Sequence, residues 1–153
     1  MVLDTAGQSS VEAAVLLSVV MFLLALLVQP VCLLYTRMVM GNAAGEAARV
    51  LVTAPHGETA RSYALRRLEA VPPASLFHGG GREDWDVRMR KSSDGRAVTV
   101  RIAGHARPMP FFGELVSWAF ERDERGLILR VEIEEEVRPA WLEGGYEEWM
   151  AQW

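Results

Sequence analysis

The stretch AAVLLSVVMFLLALLVQPVCLLY, residues 13–35, contains no charged side chain and decides how the rest of the chain can be arranged. A helix needs about 20 apolar residues to cross a hydrocarbon core roughly 30 Å thick, and this stretch is long enough. Pro30 predicts a bend in the helix rather than its end, because membrane helices tolerate proline. The sequence therefore predicts one membrane-spanning helix over residues 13–35.

The part of the chain beyond Arg37 has the composition of a soluble domain. Basic and acidic residues are interleaved there, and the net charge of the 153 residues is −4. A nucleic-acid-binding surface usually shows a basic stripe, so we expect no nucleic-acid partner. The only cysteine, Cys32, lies in the apolar stretch, which excludes an intramolecular disulfide. We expect one membrane helix followed by one small domain of about 100 residues, enough to bury a core.

Helical spacing continues past the apolar stretch through MVMGNAAGEAARVLV, residues 38–52. Gly41 and Gly45 form a small-xxx-small pair, extended by Ala48, and such a surface lets another helix approach closely. We therefore predict helix packing at these three residues, and a first helix that covers residues 8–54 in all.

The remaining sequence predicts a small α+β domain over residues 55–138. HGETARSYALRRLEAV (56–71) has the spacing of a short amphipathic helix, and SLFHGGGRED (75–84) is typical of a flexible connector. Alternating apolar residues in 85–89, 98–102 and 127–133 predict three antiparallel strands, the first two joined by a turn at Asp94-Gly95. PFFGELVSWAF (110–120) is expected to form a brief helix or a covering loop.

No arrangement of reactive side chains in the sequence predicts an enzyme. His56, His78 and His105 lack metal-ligand spacing, and no nucleophile motif surrounds them. Glu132, Glu134 and Glu136 alternate along one strand, which favours a solvated strand face that protects a sheet edge. We expect no catalytic residue, no metal and no cofactor. Residues 139–153 form an aromatic tail that could dock on its own domain, on a neighbouring subunit or on a membrane.

A single carboxylate, Glu12, stands at the start of the apolar run, five residues after Gly7 in AGQSSVEAAVLLSVVMFLLALL (6–27). It has two interpretations. With Ser9 and Ser10 it has the character of a first helical turn at a membrane interface, where a carboxylate costs little. The glycine upstream is not explained by that interpretation.

The same segment resembles the processing site of type IV prepilin-like proteins, with a short leader, a glycine, a glutamate and a long apolar helix. It is similar in particular to the TadE-like family, minor pilins or pseudopilins of tight-adherence (Tad/Flp) pilus systems. The resemblance covers roughly the first 50 residues and is architectural beyond them. It implies residues 1–7 as a leader that a prepilin peptidase removes after Gly7, with Gln8 as the new N-terminus and Glu12 as the recognition and assembly residue.

The resemblance also implies partners and a location. The partners would be the peptidase, the cytoplasmic membrane and other pilin or pseudopilin subunits, either TadF-like or the major pilin. The chain would be a bacterial single-pass membrane protein with its C-terminal domain outside the cytoplasm, incorporated in or assembled with a surface pilus. By the positive-inside rule, Arg37 and Arg49 favour the opposite orientation. The alternative is a single-pass, membrane-anchored binding or sensory module in which the Gly7–Glu12 pattern is coincidental.

Overall fold

A computed structural model describes residues 5–53, 57–93, 95–109 and 121–136 of the chain. Its elements follow the order α1 (Thr5–Thr53), α2 (Gly57–Leu68), a 3-10 turn η1 (Gly81–Asp84), β1 (Asp86–Lys91), β2 (Ala97–Ala106), β3 (Arg122–Asp123) and β4 (Gly126–Glu136). The expected helix or covering loop over 110–120 and the aromatic tail over 139–153 lie outside the described residues. The predicted α+β fold with one long apolar helix is confirmed.

Helix α1 is 49 residues long, which corresponds to roughly 70 Å at 1.5 Å per residue. Pro30 lies inside it and does not end it. The residues that the helix buries after Val28 repeat at intervals of three and four, as expected for one face of a helix packed on a core. They are Gln29, Cys32, Leu33, Thr36, Met40, Ala43, Ala44, Ala47, Ala48 and Leu51. The C-terminal part of α1 is therefore also the central helix of the domain.

The sheet is antiparallel, with the strand order β1-β2-β4-β3. The predicted alternation is confirmed: the side chains of Val98, Val100 and Ile102 are buried, as are those of Leu127 and Leu129. Strand β3 was not predicted, because its two residues are too few to show any periodicity. It pairs only with Gly126 and Leu127 at the start of β4.

Two helices cover one face of this sheet. Helix α1 contacts β2, β4 and α2, and α2 follows α1 with Ala60, Ala64 and Leu68 buried. The alanines on both helices allow the two backbones and the sheet to approach closely. Larger helical side chains, Leu33, Met40, Leu51 and Leu68, complete the core together with valine, isoleucine and leucine side chains of the strands.

Several glycines in and beside the sheet occupy positions that a side chain would disturb, and Gly95 and Gly104 are two of them. In the turn between β1 and β2, Gly95 has φ +69°, a left-handed conformation that residues with a side chain rarely adopt; its predicted partner Asp94 lies outside the described residues. In β2, a Cβ on Gly104 would stand 2.5 Å from Cζ3 of Trp85. Gly104 therefore allows the indole ring to lie directly on the strand.

Candidate functional site

The candidate processing segment lies in the first turns of α1. Gly7 is helical, and the side chains of Gln8 and Glu12 are exposed to solvent, one turn apart on the same face. The Gln8 amide Nε2 donates a hydrogen bond of 3.1 Å to Oε1 of Glu12. The structure therefore brings together the residue that would become the N-terminus and the predicted assembly carboxylate. It leaves that carboxylate accessible to other groups.

The apolar part of α1 between this segment and the domain is bare. Its large side chains from Val11 to Val28 are between 41% and 66% exposed, apart from Leu26, which is partly covered. Residues 8–28 span about 30 Å at 1.5 Å per residue, the thickness of a hydrocarbon core. Among the described residues, α1 is the one helix long and apolar enough to cross a membrane.

The domain meets α1 at Gln29. The side chain of Gln29 is fully buried, and its Oε1 accepts a 2.8 Å hydrogen bond from the backbone N–H of Met109. Two turns later, the Thr36 hydroxyl lies 3.1 Å from the Phe77 carbonyl oxygen, and the Tyr35 hydroxyl donates to the carbonyl of Ala70 at 3.2 Å. These contacts fix the point at which the free helix becomes part of the domain.

Beyond that point α1 keeps one apolar face uncovered. Val31, Leu34 and Met38 are 53%, 60% and 69% exposed, on the side opposite to the buried Leu33 and Met40. The predicted span over 13–35 therefore covers two environments: a bare segment to Val28, and a segment that is bare on one side only.

The three residues predicted to pack against another helix occupy different positions. A Cβ on Gly41 would meet nothing within 4 Å, whereas one on Gly45 would lie 4.0 Å from Cδ1 of Ile133 in β4. Ala48 is fully buried in the domain core. Within one chain, Gly45 thus lies at the contact between α1 and its own sheet, Ala48 is part of the core, and Gly41 is the member of the set with open space beside it.

Sequence spacing gave no indication of a second cluster of polar residues, which we call the His–Asp cluster: His78, Asp84, His105 and Asp123. Asp84 Oδ2 accepts from the backbone N–H of His105 at 2.9 Å and lies 2.9 Å from His105 Nδ1 and 3.1 Å from His78 Nε2. His105 Nε2 lies 3.0 Å from Asp123 Oδ2. Because each ring nitrogen of His105 faces a carboxylate, only the doubly protonated ring can donate to both.

The ionisation of two cluster members is shifted by their surroundings. Burial lowers the pKa of His78 below 6.5, and this effect outweighs the neighbouring charge of Asp84. Desolvation opposes the ionisation of Asp123, but hydrogen bonds from the backbone of Arg125 and Gly126, together with the charge of His105, hold its pKa below 3.8. At neutral pH His78 is therefore a neutral ring, stacked on Trp85 with centroids 3.7 Å apart.

The cluster connects four parts of the domain: the connector before η1, η1 itself, the end of β2 and β3. No spacing rule joins these residues, since they meet only when the sheet is formed. The cluster borders an open groove of about 450 Å³ that Arg125 and Arg130 also line. Within the described part of the chain, no group of three histidine, cysteine or acidic residues has the geometry of a metal site.

Comparison with known proteins relates the N-terminal part of this chain to one family. Neither the curated proteins nor the solved structures include a significant match to the chain. The family model described as TadE-like protein matches residues 7–49, a range that begins at Gly7, contains Glu12 and the bare helix, and ends within the packed part of α1. The resemblance predicted from the sequence is thereby confirmed: residues 7–49 of this chain are similar to the TadE-like family.

Proposed function

We propose that this chain is a minor pilin or pseudopilin of a tight-adherence pilus, processed after Gly7 by a prepilin peptidase and held in the cytoplasmic membrane until it is assembled. Its role would be structural rather than catalytic. The domain would lie outside the cytoplasm, carried by the helix that anchors it.

One observation carries this proposal: the bare part of α1 begins with the segment that follows Gly7, and its residues 8–28 are together about as long as a hydrocarbon core is thick. Such a surface is stable only in lipid or against similar helices, because several leucine, valine and phenylalanine side chains are otherwise exposed to water. A subunit that is stored in a membrane and then packed in a helical bundle uses the same surface in both states.

The accessible carboxylate of Glu12 fits the assembly step. After cleavage, the α-amino group of Gln8 would be a positive charge at the helix N-terminus. Opposite charges attract more strongly in a medium of low dielectric than in water, and an unpaired buried carboxylate is costly. In a bundle of such helices, Glu12 would therefore favour positions where it neutralises the amine of a neighbouring subunit.

The groove beside the His–Asp cluster favours the second candidate, a membrane-anchored binding module. In that case Gly7 and Glu12 would have no special role and the chain would keep residues 1–7. The two candidates thus differ at the N-terminus of the protein in the cell.

The test of the assembly role is Glu12→Gln, which removes the charge but keeps the shape. We expect the variant to be inserted in the membrane at the normal level and to be lost from sheared pilus fractions by at least about tenfold, since an unpaired amine in the bundle costs more than 1.4 kcal/mol. The matched control is Glu46→Gln on the same helix, whose carboxylate forms only an exposed ion pair with Arg67 at 3.5 Å. Equal incorporation of both variants would contradict the role of Glu12.

A further inference from the structure

The three longest strands form a sheet with two outer edges, one along β1 and one along β4. Among the described residues, neither edge has a partner strand over most of its length. Strand β1 pairs only with β2, and β3 covers β4 only at Gly126 and Leu127. An open edge exposes unpaired backbone N–H and C=O groups and is a ready template for another strand. The described residues therefore leave two templates, β1 and the part of β4 from Arg130 to Glu135.

The residues on these two edges are complementary in charge or in polarity. We call a row the set of residues that face one another across neighbouring strands. The pairing of β2 with both neighbours places each β1 residue in the same row as a β4 residue. The rows are Asp86 with Arg130, Val87 with Val131, Arg88 with Glu132, Met89 with Ile133, Arg90 with Glu134, and Lys91 with Glu135. Four rows combine opposite charges and two combine apolar side chains.

We propose that a second copy of this chain adds its β1 to the β4 edge, so that one sheet continues from copy to copy. In the protein β1 and β4 each run antiparallel to β2 and are therefore parallel to each other, so a copy placed in the same orientation forms a parallel pair in this register. Opposite charges that face each other in the same row stabilise such a pair, as do apolar side chains on the opposite face. Asp86 and Arg88 already pair with each other at 2.9 Å, so Arg90 and Glu134 provide the clearest new ion pair.

Charge and membrane geometry both disfavour the symmetric alternatives. Pairing of β4 with β4 would place glutamates beside glutamates, and pairing of β1 with β1 would place arginines beside arginines. Antiparallel pairing of either edge would also reverse α1, which lies on the sheet, and two such helices could not enter one membrane in the same sense. In the head-to-tail contact, each strand of the second copy lies three strand positions further along the sheet. Because neighbouring strands are rotated by roughly 20–25°, the directions of the two α1 helices differ by less than a right angle.

The contact is heterologous, so each copy keeps one free edge and the association can extend to further copies. It involves neither Gly7 nor Glu12. It therefore does not depend on the proposed processing, and the two proposals can fail separately.

The experiment is disulfide cross-linking of full-length chains in lipid vesicles, with Cys32→Ala as the background. Ser92→Cys places one cysteine directly after β1, and Glu136→Cys places the other at the last residue of β4. Ala97 of β2 faces Glu136, and its carbonyl oxygen accepts a hydrogen bond from the backbone N–H of Ser92. Ser92 and Glu136 therefore share the row that follows the row of Lys91 and Glu135. We expect dimers and longer species from chains that carry both cysteines, and no dimers above background from either single-cysteine chain. Dimers from a single-cysteine chain, or none from the double, would overturn the proposal.

Charge reversal at Arg90 and Glu134 gives an independent readout. The residue between them in their row is the neutral Thr99, so neither Arg90→Glu nor Glu134→Arg creates a like-charge neighbour in its own sheet row. Each single variant should cross-link roughly fivefold less than the parent, and the chain with both reversals should recover. Unchanged cross-linking in the single variants, or no recovery in the double, would contradict the proposed register. Circular dichroism establishes that each variant is folded.

Discussion

At the scale of single residues, the His–Asp cluster makes the domain sensitive to acid. His78 is buried, and its pKa in the folded protein is lower than the 6.5 of the unfolded chain. As the pH falls from 6.5 towards the folded value, the unfolded chain binds a proton that the folded chain does not, so the free energy of unfolding decreases over that window. Asp123 adds a second loss as the pH falls below 3.8 towards its own folded pKa.

We therefore expect urea unfolding of the full chain in detergent, followed by tryptophan fluorescence, to show lower stability at pH 5.5 than at pH 7.5. His78→Gln loses the stacking on Trp85 and is expected to be less stable at pH 7.5 by about 1–3 kcal/mol. It should also depend less on pH between 7.5 and 5.5 than the parent does. An equally steep dependence in the variant would show that His78 does not cause the effect.

At the scale of elements, one glycine in a strand and one in a helix are predicted to respond to alanine substitution in opposite ways. Gly104→Ala places a methyl group against Trp85 and should destabilise the domain by about 1–3 kcal/mol. Gly41→Ala meets open space in the isolated chain and should stabilise it by up to about 1 kcal/mol, because alanine favours helix. If another helix packs at Gly41, as the sequence predicts, the same variant should assemble less well despite being more stable.

Thermal melts of both variants, together with the amount of each in sheared pili, check this pair. A destabilised Gly41→Ala would mean that the chain itself already fills the space beside Gly41. A stable Gly104→Ala would mean that Trp85 can move away from β2 at little cost.

The elements were predictable where periodicity runs through several turns or residues. The long apolar helix, the amphipathic α2 and the alternation in β1, β2 and β4 follow from such patterns. The sequence did not predict β3, which is too short, nor the His–Asp cluster, whose members come from four separated segments. It also did not predict that Gly45 faces the chain's own sheet and that Ala48 is buried in the chain's own core, because a small-residue stripe does not specify which partner it packs against.

At the scale of the whole molecule, α1 joins two parts with different requirements. From Gln29 onwards one face of the helix is buried in the domain, whereas the side chains of residues 8–28 are exposed in the described structure, apart from the partly covered Leu26, and this segment matches the thickness of a hydrocarbon core. The match to the TadE-like family model covers both the bare helix and all but the last turn of the packed part. Beyond it, the described part of the domain contains two sheet edges without a partner strand over most of their length, and the His–Asp cluster.

The most direct test of the proposed function is the intact mass of the full-length protein purified from membranes, with and without a co-expressed prepilin peptidase. The proposal predicts that the peptidase removes residues 1–7 and leaves a chain that begins at Gln8. An unchanged mass in the presence of a peptidase that demonstrably cleaves another prepilin of the same system would contradict it. Glu12 would then be an interfacial helix residue of a membrane-anchored module.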